Sequence, residues 1–299
     1  MINPPTYNRQ KLLLFLLEYA GGTLNKVDLQ KLLFLYLQET GVNYYAFVPY
    51  RFGCYSFVAA DDLDLLQKRG WLEQNKKELR LRNSIASLPW VKNNSERTVI
   101  KDWLKQKTKR GQELVREVYR KYPYYAINSE IKGQLLDKKE LAFVNQAGVV
   151  ISDPNQKSIY TIGYEGLHIE EYINRLIRKD IKLLCDVRQN PLSRKYGFSK
   201  RNLAALLPKF GIEYLHLPGL GIESKIRKGL TNSNDVNILF DNYKKNLPER
   251  QNELTRIIGE FKKHKRIALT CFERESQNCH RHCISDFLAI HSRITVCHL

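Results

Sequence analysis

Leucines recur at helical spacing from Arg9 to Ala20 and stop at Gly21-Gly22, and the same pattern returns in NKVDLQKLLFLYLQ, Asn25 to Gln38. Two packed helices are expected. The aromatic-rich stretch NYYAFVPYRFGCYSF then reads as extended with a glycine turn, followed by a helix from about Ala59 to Lys68 that Gly70 stops. Trp71 to Arg82 reads as a short hairpin turning at Gln74-Asn75-Lys76-Lys77. Helices followed by a helix and a small basic hairpin make a winged-helix pattern over residues 1–90. From Asn93 to about Phe143 the pattern is polar and helical, interrupted by KYPYYAINSE, and is expected to form a connecting region over 91–150. QAGVVISDPNQK, Gln146 to Lys157, has the Gly, Pro, Asn and Asp of a boundary.

Beyond that boundary strands alternate with helices. SIYTIGY, IKLLCDVR, IEYLHLP and RIALTC are expected as strands, with RITVCHL closing the sheet, and the segments between them as helices. Apolar strands separated by long amphipathic helices predict a parallel sheet covered on both faces. The expected fold class is therefore α/β: a three-layer, Rossmann-like parallel-sheet domain over 151–299, preceded by a mostly α winged-helix-like domain.

Charge changes the picture more than composition does. The net charge is +18, and it is shared: 24 basic against 15 acidic residues up to position 150, and 25 against 16 after it. Such a chain attracts polyanions, so nucleic acid is the expected partner, DNA ahead of RNA. Candidate phosphate contacts are Arg69, Lys76, Lys77, Arg80 and Arg82 around the hairpin, and Lys105, Lys107, Lys109 and Arg110 in the run KQKTKRGQ, which reads equally as a solvated helix surface. No stretch approaches the roughly 18 apolar residues of a membrane-spanning helix, and no export signal is read at the N-terminus. Six dispersed cysteines fit a reducing compartment, with cytoplasm the expected location.

Ligands collect at the carboxyl ends of parallel strands, where the connecting loops converge. Those loops here are Gly163-Tyr164-Glu165-Gly166, Asp186 to Arg194, His216 to Gly221 and Cys271-Phe272-Glu273-Arg274. All are polar, Gly-rich or both, and a shared cleft is the economical reason for polar groups at the ends of apolar strands. Asp186, Glu273 and His280 are general acid-base types, while Arg188, Ser193, Arg194 and Arg281 suit phosphate oxygens; Tyr164 and Glu165 would engage a base or ribose. The same residues also read as ion pairs that merely tie loops together.

The second domain resembles the family of domains of unknown function 488, on IYTIGYEG (Ile159 to Gly166), DVRQNPLSRKYGFSK (Asp186 to Lys200), IEYLHLPGLG (Ile212 to Gly221) and LTCFERESQNCHRHC (Leu269 to Cys283). Its arrangement is also similar to a rhodanese, with Asp186, Arg188 and Cys271 in the corresponding places, though FERESQN lacks the glycine of a rhodanese loop. The first domain loosely resembles winged-helix-like segments of Panacea (SocA-type antitoxin) proteins, on LQKLLFL and the string FVPYRFGCYS.

TCFERESQNCHRHC, Thr270 to Cys283, packs three cysteines and two histidines into one segment. Cys271, Cys279, His280, His282 and Cys283 are candidate ligands for zinc or iron, but their spacing is not a zinc signature and no cofactor follows from it. With a helix expected from about Asn278, Cys279 should pair with His282 and Cys283 while His280 and Arg281 turn away. Either Cys271 or Cys279 could instead be an activated thiol, and Cys283 and Cys185 read as core. The leading expectation is an enzyme of hydrolytic or transfer chemistry on nucleic acid or nucleotide, using Asp186, Arg188, Cys271, Glu273 and His280. A DNA-binding regulator or antitoxin-like module with a sensing cleft, and a sulfur-transfer enzyme, are the alternatives.

Overall fold

The computed structural model describes residues 3–148, 156–223, 226, 233–292 and 294–299. It divides into two compact units, Met1–Gly148 and Val149–Leu299. Most of the expected boundary segment, 149–155, lies outside the described residues.

In the first unit, α1 (Asn8–Tyr19), α2 (Lys26–Thr40) and α3 (Phe57–Lys68) form where the apolar spacing places them. Asn25 caps α2 by accepting the Val27 amide, Gly41 ends it at φ 72°, and Ser56 caps α3 through the Ala59 amide. Between α1 and α2 lies a short strand, β1 (Thr23–Asn25), that the sequence pattern did not predict, because three residues show no alternation. The aromatic stretch forms a hairpin of β2 (Val48–Tyr50) and β3 (Gly53–Tyr55), and the expected basic hairpin is β4 (Leu72–Gln74) with β5 (Glu78–Leu81). The sheet order is β1-β5-β4, antiparallel throughout. α4 (Glu96–Lys105), α5 (Gly111–Lys121) and α6 (Lys138–Gln146) follow, and Ile100, Leu104, Leu114, Val118 and Val144 join the same core as Leu12 to Leu17 and Leu29 to Leu37.

The second unit alternates as expected: β6 (Ser158–Gly163), α7 (Ile169–Arg178), β7 (Leu183–Asp186), α8 (Lys200–Leu206), β8 (Glu213–His216), α9 (Ser233–Asn246), α10 (Gln251–His264), β9 (Arg266–Cys271), α11 (Arg281–Ser292) and β10 (Thr295–His298). The five strands are parallel in the order β10-β6-β9-β7-β8. Every residue of β6, β7 and β9 is buried, which is why these strands read as continuous apolar runs. Side-chain alternation divides them between two faces. Leu183, Cys185, Leu269 and Cys271 join the core that takes in Tyr243, Ile257 and Ile284 of α9, α10 and α11. On the opposite face, Tyr172 of α7 donates to Thr270 Oγ1 at 2.7 Å.

Candidate active-site cleft

β6, β7, β8 and β9 end together, and a cleft of about 460 Å³ opens at their carboxyl ends. Tyr164, Arg188, Ser193, Arg194, Lys195, Cys271, Phe272, Glu273 and His280 are among the residues lining it. Two close backbone approaches shape its walls. A Cβ on Gly163 would lie 1.8 Å from the Glu273 carbonyl oxygen, and one on Gly221 would lie 2.2 Å from the Gln189 amide nitrogen. Only glycine lets those loops meet.

Asp186 ends β7 fully buried, and its carboxylate is completely engaged. Arg188 donates through Nε to Oδ1 at 2.8 Å and through Nη2 to Oδ2 at 2.5 Å, and Tyr214 donates to Oδ2 at 2.7 Å. Arg188 spends Nη1 on Tyr164 Oη at 2.9 Å and on the Phe198 carbonyl at 3.0 Å. Asp186 is not among the residues lining the cleft, and its geometry is that of a group that positions Arg188. Burial, together with the negative Asp186, pushes the Tyr214 phenol up, so it remains a donor.

Tyr164 lines the cleft but is only 3% exposed. Its ring stacks on Phe198 at 4.4 Å, meets Phe272 in a T-shaped contact at 5.3 Å and has the Arg188 guanidinium 5.0 Å from its centroid, so the protein itself surrounds it. Glu165 accepts the Arg274 amide at 3.0 Å and braces a loop. Arg281 is 1% exposed and donates to the carbonyls of Glu273 and Arg274 and to Thr161 Oγ1, so its donors hold the loop beneath the cleft. Ser193 accepts the Lys195 amide at 3.1 Å, a local turn that carries exposed Arg194.

The segment Cys271 to Cys283 differs from the expected helix. A 3-10 turn occupies Ser276–Asn278, Cys279 is extended at φ −140° and ψ 136°, and α11 begins only at Arg281. Cys279 and His280 therefore turn toward Cys271 rather than apart. His280 Nδ1 lies 3.8 Å from both Cys271 Sγ and Cys279 Sγ. Its Nε2 is 3.1 Å from the Val187 carbonyl, which can only accept, so Nε2 carries the proton and Nδ1 presents its lone pair to the two sulfurs. His282 and Cys283 stand apart: His282 Nδ1 donates to the Cys279 carbonyl at 2.7 Å, its ring meets Phe240 edge-on, and Cys283 is core. Burial pushes the Cys279 thiol well up, with Cys271 adding to the rise, which disfavours a free thiolate nucleophile there.

Lys195 escaped the sequence reading although it follows Arg194 directly. It lines the cleft and its Nζ donates to the Tyr164 carbonyl at 3.2 Å, with burial lowering its pKa. Tyr214 was also missed, and His216 was named only as the start of a strand-end loop. His216 donates from Nε2 to the Arg188 carbonyl at 2.9 Å and meets Lys200 Nζ through Nδ1 at 3.0 Å. Strand alternation alone could have placed Tyr214 beside Asp186, since β7 and β8 pair Leu184 with Tyr214 and Asp186 with His216.

In the first unit, Arg69, Lys76, Lys77 and Arg80 are exposed, and no ion pair is seen for them among the described residues. Arg82 meets Glu73 at 3.3 Å. Lys105 is paired with Asp102, Lys107 with Glu39 and Lys109 with Glu117, and Arg110 donates to the carbonyls of Lys107 and Lys109. These last four are committed within the fold, as Arg82 is to Glu73; Arg69, Lys76, Lys77 and Arg80 show no such ion pair among the described residues.

No helix among the described residues is long and apolar enough to cross a membrane. No curated protein and no solved structure matches the chain at a significant level. Residues 168–288, within the second unit, match the family model described as "Domain of unknown function DUF488", and over that span the chain is similar to that family.

Proposed function

We propose that the second unit is an enzyme whose cleft takes a phosphate-bearing group of a nucleic acid or nucleotide, and that the first unit holds the polyanion. The observation that carries this reading is the cleft itself, where the cations Arg194 and Lys195 face the carboxylate-bearing Glu273 loop at the ends of parallel strands. Exposed Arg194 supplies a guanidinium fork for phosphate oxygens, partly desolvated Lys195 a second positive group, and Glu273 the acid-base function. Asp186 acts through Arg188, holding the guanidinium at the cleft wall. Exposed Phe272 offers a ring edge for an aromatic base in place of enclosed Tyr164.

In the winged-helix reading of the first unit, contact with DNA falls to the wing. Lys76 and Lys77 sit at the β4–β5 turn and Arg80 on the exposed side of β5, whereas α3 exposes Asp61 and Asp64, which repel phosphates. The test is turnover of a panel of oligonucleotides and nucleotides followed by product mass. Wild type should convert a member of the panel and Glu273→Gln should bind it without converting it. Equal turnover by both proteins, or none by wild type across the panel, contradicts the reading.

A further inference from the structure

We propose that Cys271, Cys279 and His280 are the three protein ligands of a zinc-class divalent ion, with the fourth coordination position turned toward the cleft. The inference deepens the reading of that cleft, but it stands on ligand geometry and is tested by metal content, so either can fail without the other.

Three observations converge. First, the two sulfurs and His280 Nδ1 all lie within 4.8 Å of one another. A tetrahedral ion with Zn–S near 2.3 Å and Zn–N near 2.0–2.1 Å requires S···N edges of about 3.6 Å and an S···S edge of about 3.8 Å. Both S···N separations are 3.8 Å and the two sulfurs lie within 4.8 Å of each other, so closure around an ion needs shifts of a few tenths of an ångström on the S···N edges and of at most about 1 Å between the sulfurs. Second, the tautomer is already the one a ligand needs. Nε2 donates to the Val187 carbonyl, the kind of outer hydrogen bond that orients metal-bound imidazoles, and this leaves the Nδ1 lone pair aimed between the thiols. Third, the arrangement is held from behind. Arg281, adjacent to His280, grips the Glu273 and Arg274 carbonyls, fixing the loop that joins Cys271 to Cys279.

The three ligands are each at most 2% exposed, yet Cys271 and His280 line the cleft. Three protein ligands with one open position are the pattern of catalytic rather than structural zinc. Water in that position would be acidified and would stand among the Glu273-bearing residues of the cleft wall. His282 and Cys283 take no part, one bonded to the Cys279 carbonyl and the other in the core.

The experiment is elemental analysis of the full-length protein purified without chelator, followed by removal of metal under reducing conditions and titration with cobalt(II). The expected result is about one zinc per chain and, with cobalt, a thiolate-to-metal charge-transfer band together with the intense visible bands of tetrahedral coordination. Cys279→Ser should weaken the charge-transfer band and Cys297→Ser should leave it unchanged, circular dichroism serving to show that each variant is folded. Wild-type protein that holds no stoichiometric metal and gives no charge-transfer band overturns the proposal. A Cys271–Cys279 disulfide in place of a bound ion, found by mass, overturns it equally.

Discussion

Arg188 grips Asp186 with one edge of its guanidinium, Nε to Oδ1 at 2.8 Å and Nη2 to Oδ2 at 2.5 Å, and the pair is buried at the end of β7. Removing one member leaves the other charge without its partner in a largely buried site. Asp186→Asn should therefore cost about 3–5 kcal/mol in the second unit, measured by hydrogen exchange of its core strands. A loss below about 1 kcal/mol would mean that the pair does not hold the cleft wall.

The close approach of Gly163 to Glu273 makes a separate prediction. A methyl group there meets a carbonyl oxygen at 1.8 Å, and the nearest alternatives are backbone atoms that cannot swing away. Gly163→Ala should destabilise the second unit by about 1–3 kcal/mol and displace the loop carrying Glu273. Thermal unfolding unchanged from wild type would contradict that packing.

Much of this site was legible in the sequence because strand ends can be read from apolar runs. The loops after IYTIG, LLCD and RIALTC contributed the cleft residues that the sequence singled out, from Tyr164 to Glu273. What was not legible turned on a few backbone angles. Delaying the last helix from Asn278 to Arg281 reverses the facing of Cys279 and His280, and no periodicity distinguishes those starts over three residues. Burial was equally silent: Arg281 and Arg194 look alike in a sequence, but one is spent on carbonyls and the other is exposed. β1 escaped because its partner, β5, is more than fifty residues away.

In the first unit, Lys31 is 2% exposed and donates to the Cys54 carbonyl at 2.7 Å, and burial lowers its pKa from the ordinary 10.5. Between the lowered value and 10.5 the unfolded chain binds more protons than the folded one, so stability rises with pH across that window. Below the window both states are charged and the folded unit bears the full cost of burial. Lys31→Met should flatten the rise and stabilise the unit at neutral pH by about 1 kcal/mol. All three tryptophans, Trp71, Trp90 and Trp103, lie in this unit, so denaturation followed by their fluorescence reads it alone.

The wing should govern the salt dependence of nucleic-acid binding. Each phosphate contact contributes a slope of about −0.9 in log affinity against log salt for duplex DNA. Lys76→Glu, Lys77→Glu and Arg80→Glu combined should shallow that slope by about 2–3, measured by fluorescence anisotropy with a DNA duplex. The same triple change in Lys105, Lys107 and Lys109 should act mainly on stability, since those lysines are already paired with acids.

If a phosphate-bearing group sits in the cleft of the second unit, mononucleotides should bind there. Calorimetric titration with a panel of mononucleotides tests it most directly, using wild type, the double variant Arg194→Glu with Lys195→Glu, and the triple wing variant. Wild type should bind saturably, the cleft variant should lose on the order of tenfold or more, and the wing variant should be unchanged. Equal binding by wild type and the cleft variant, or binding by neither, would contradict it.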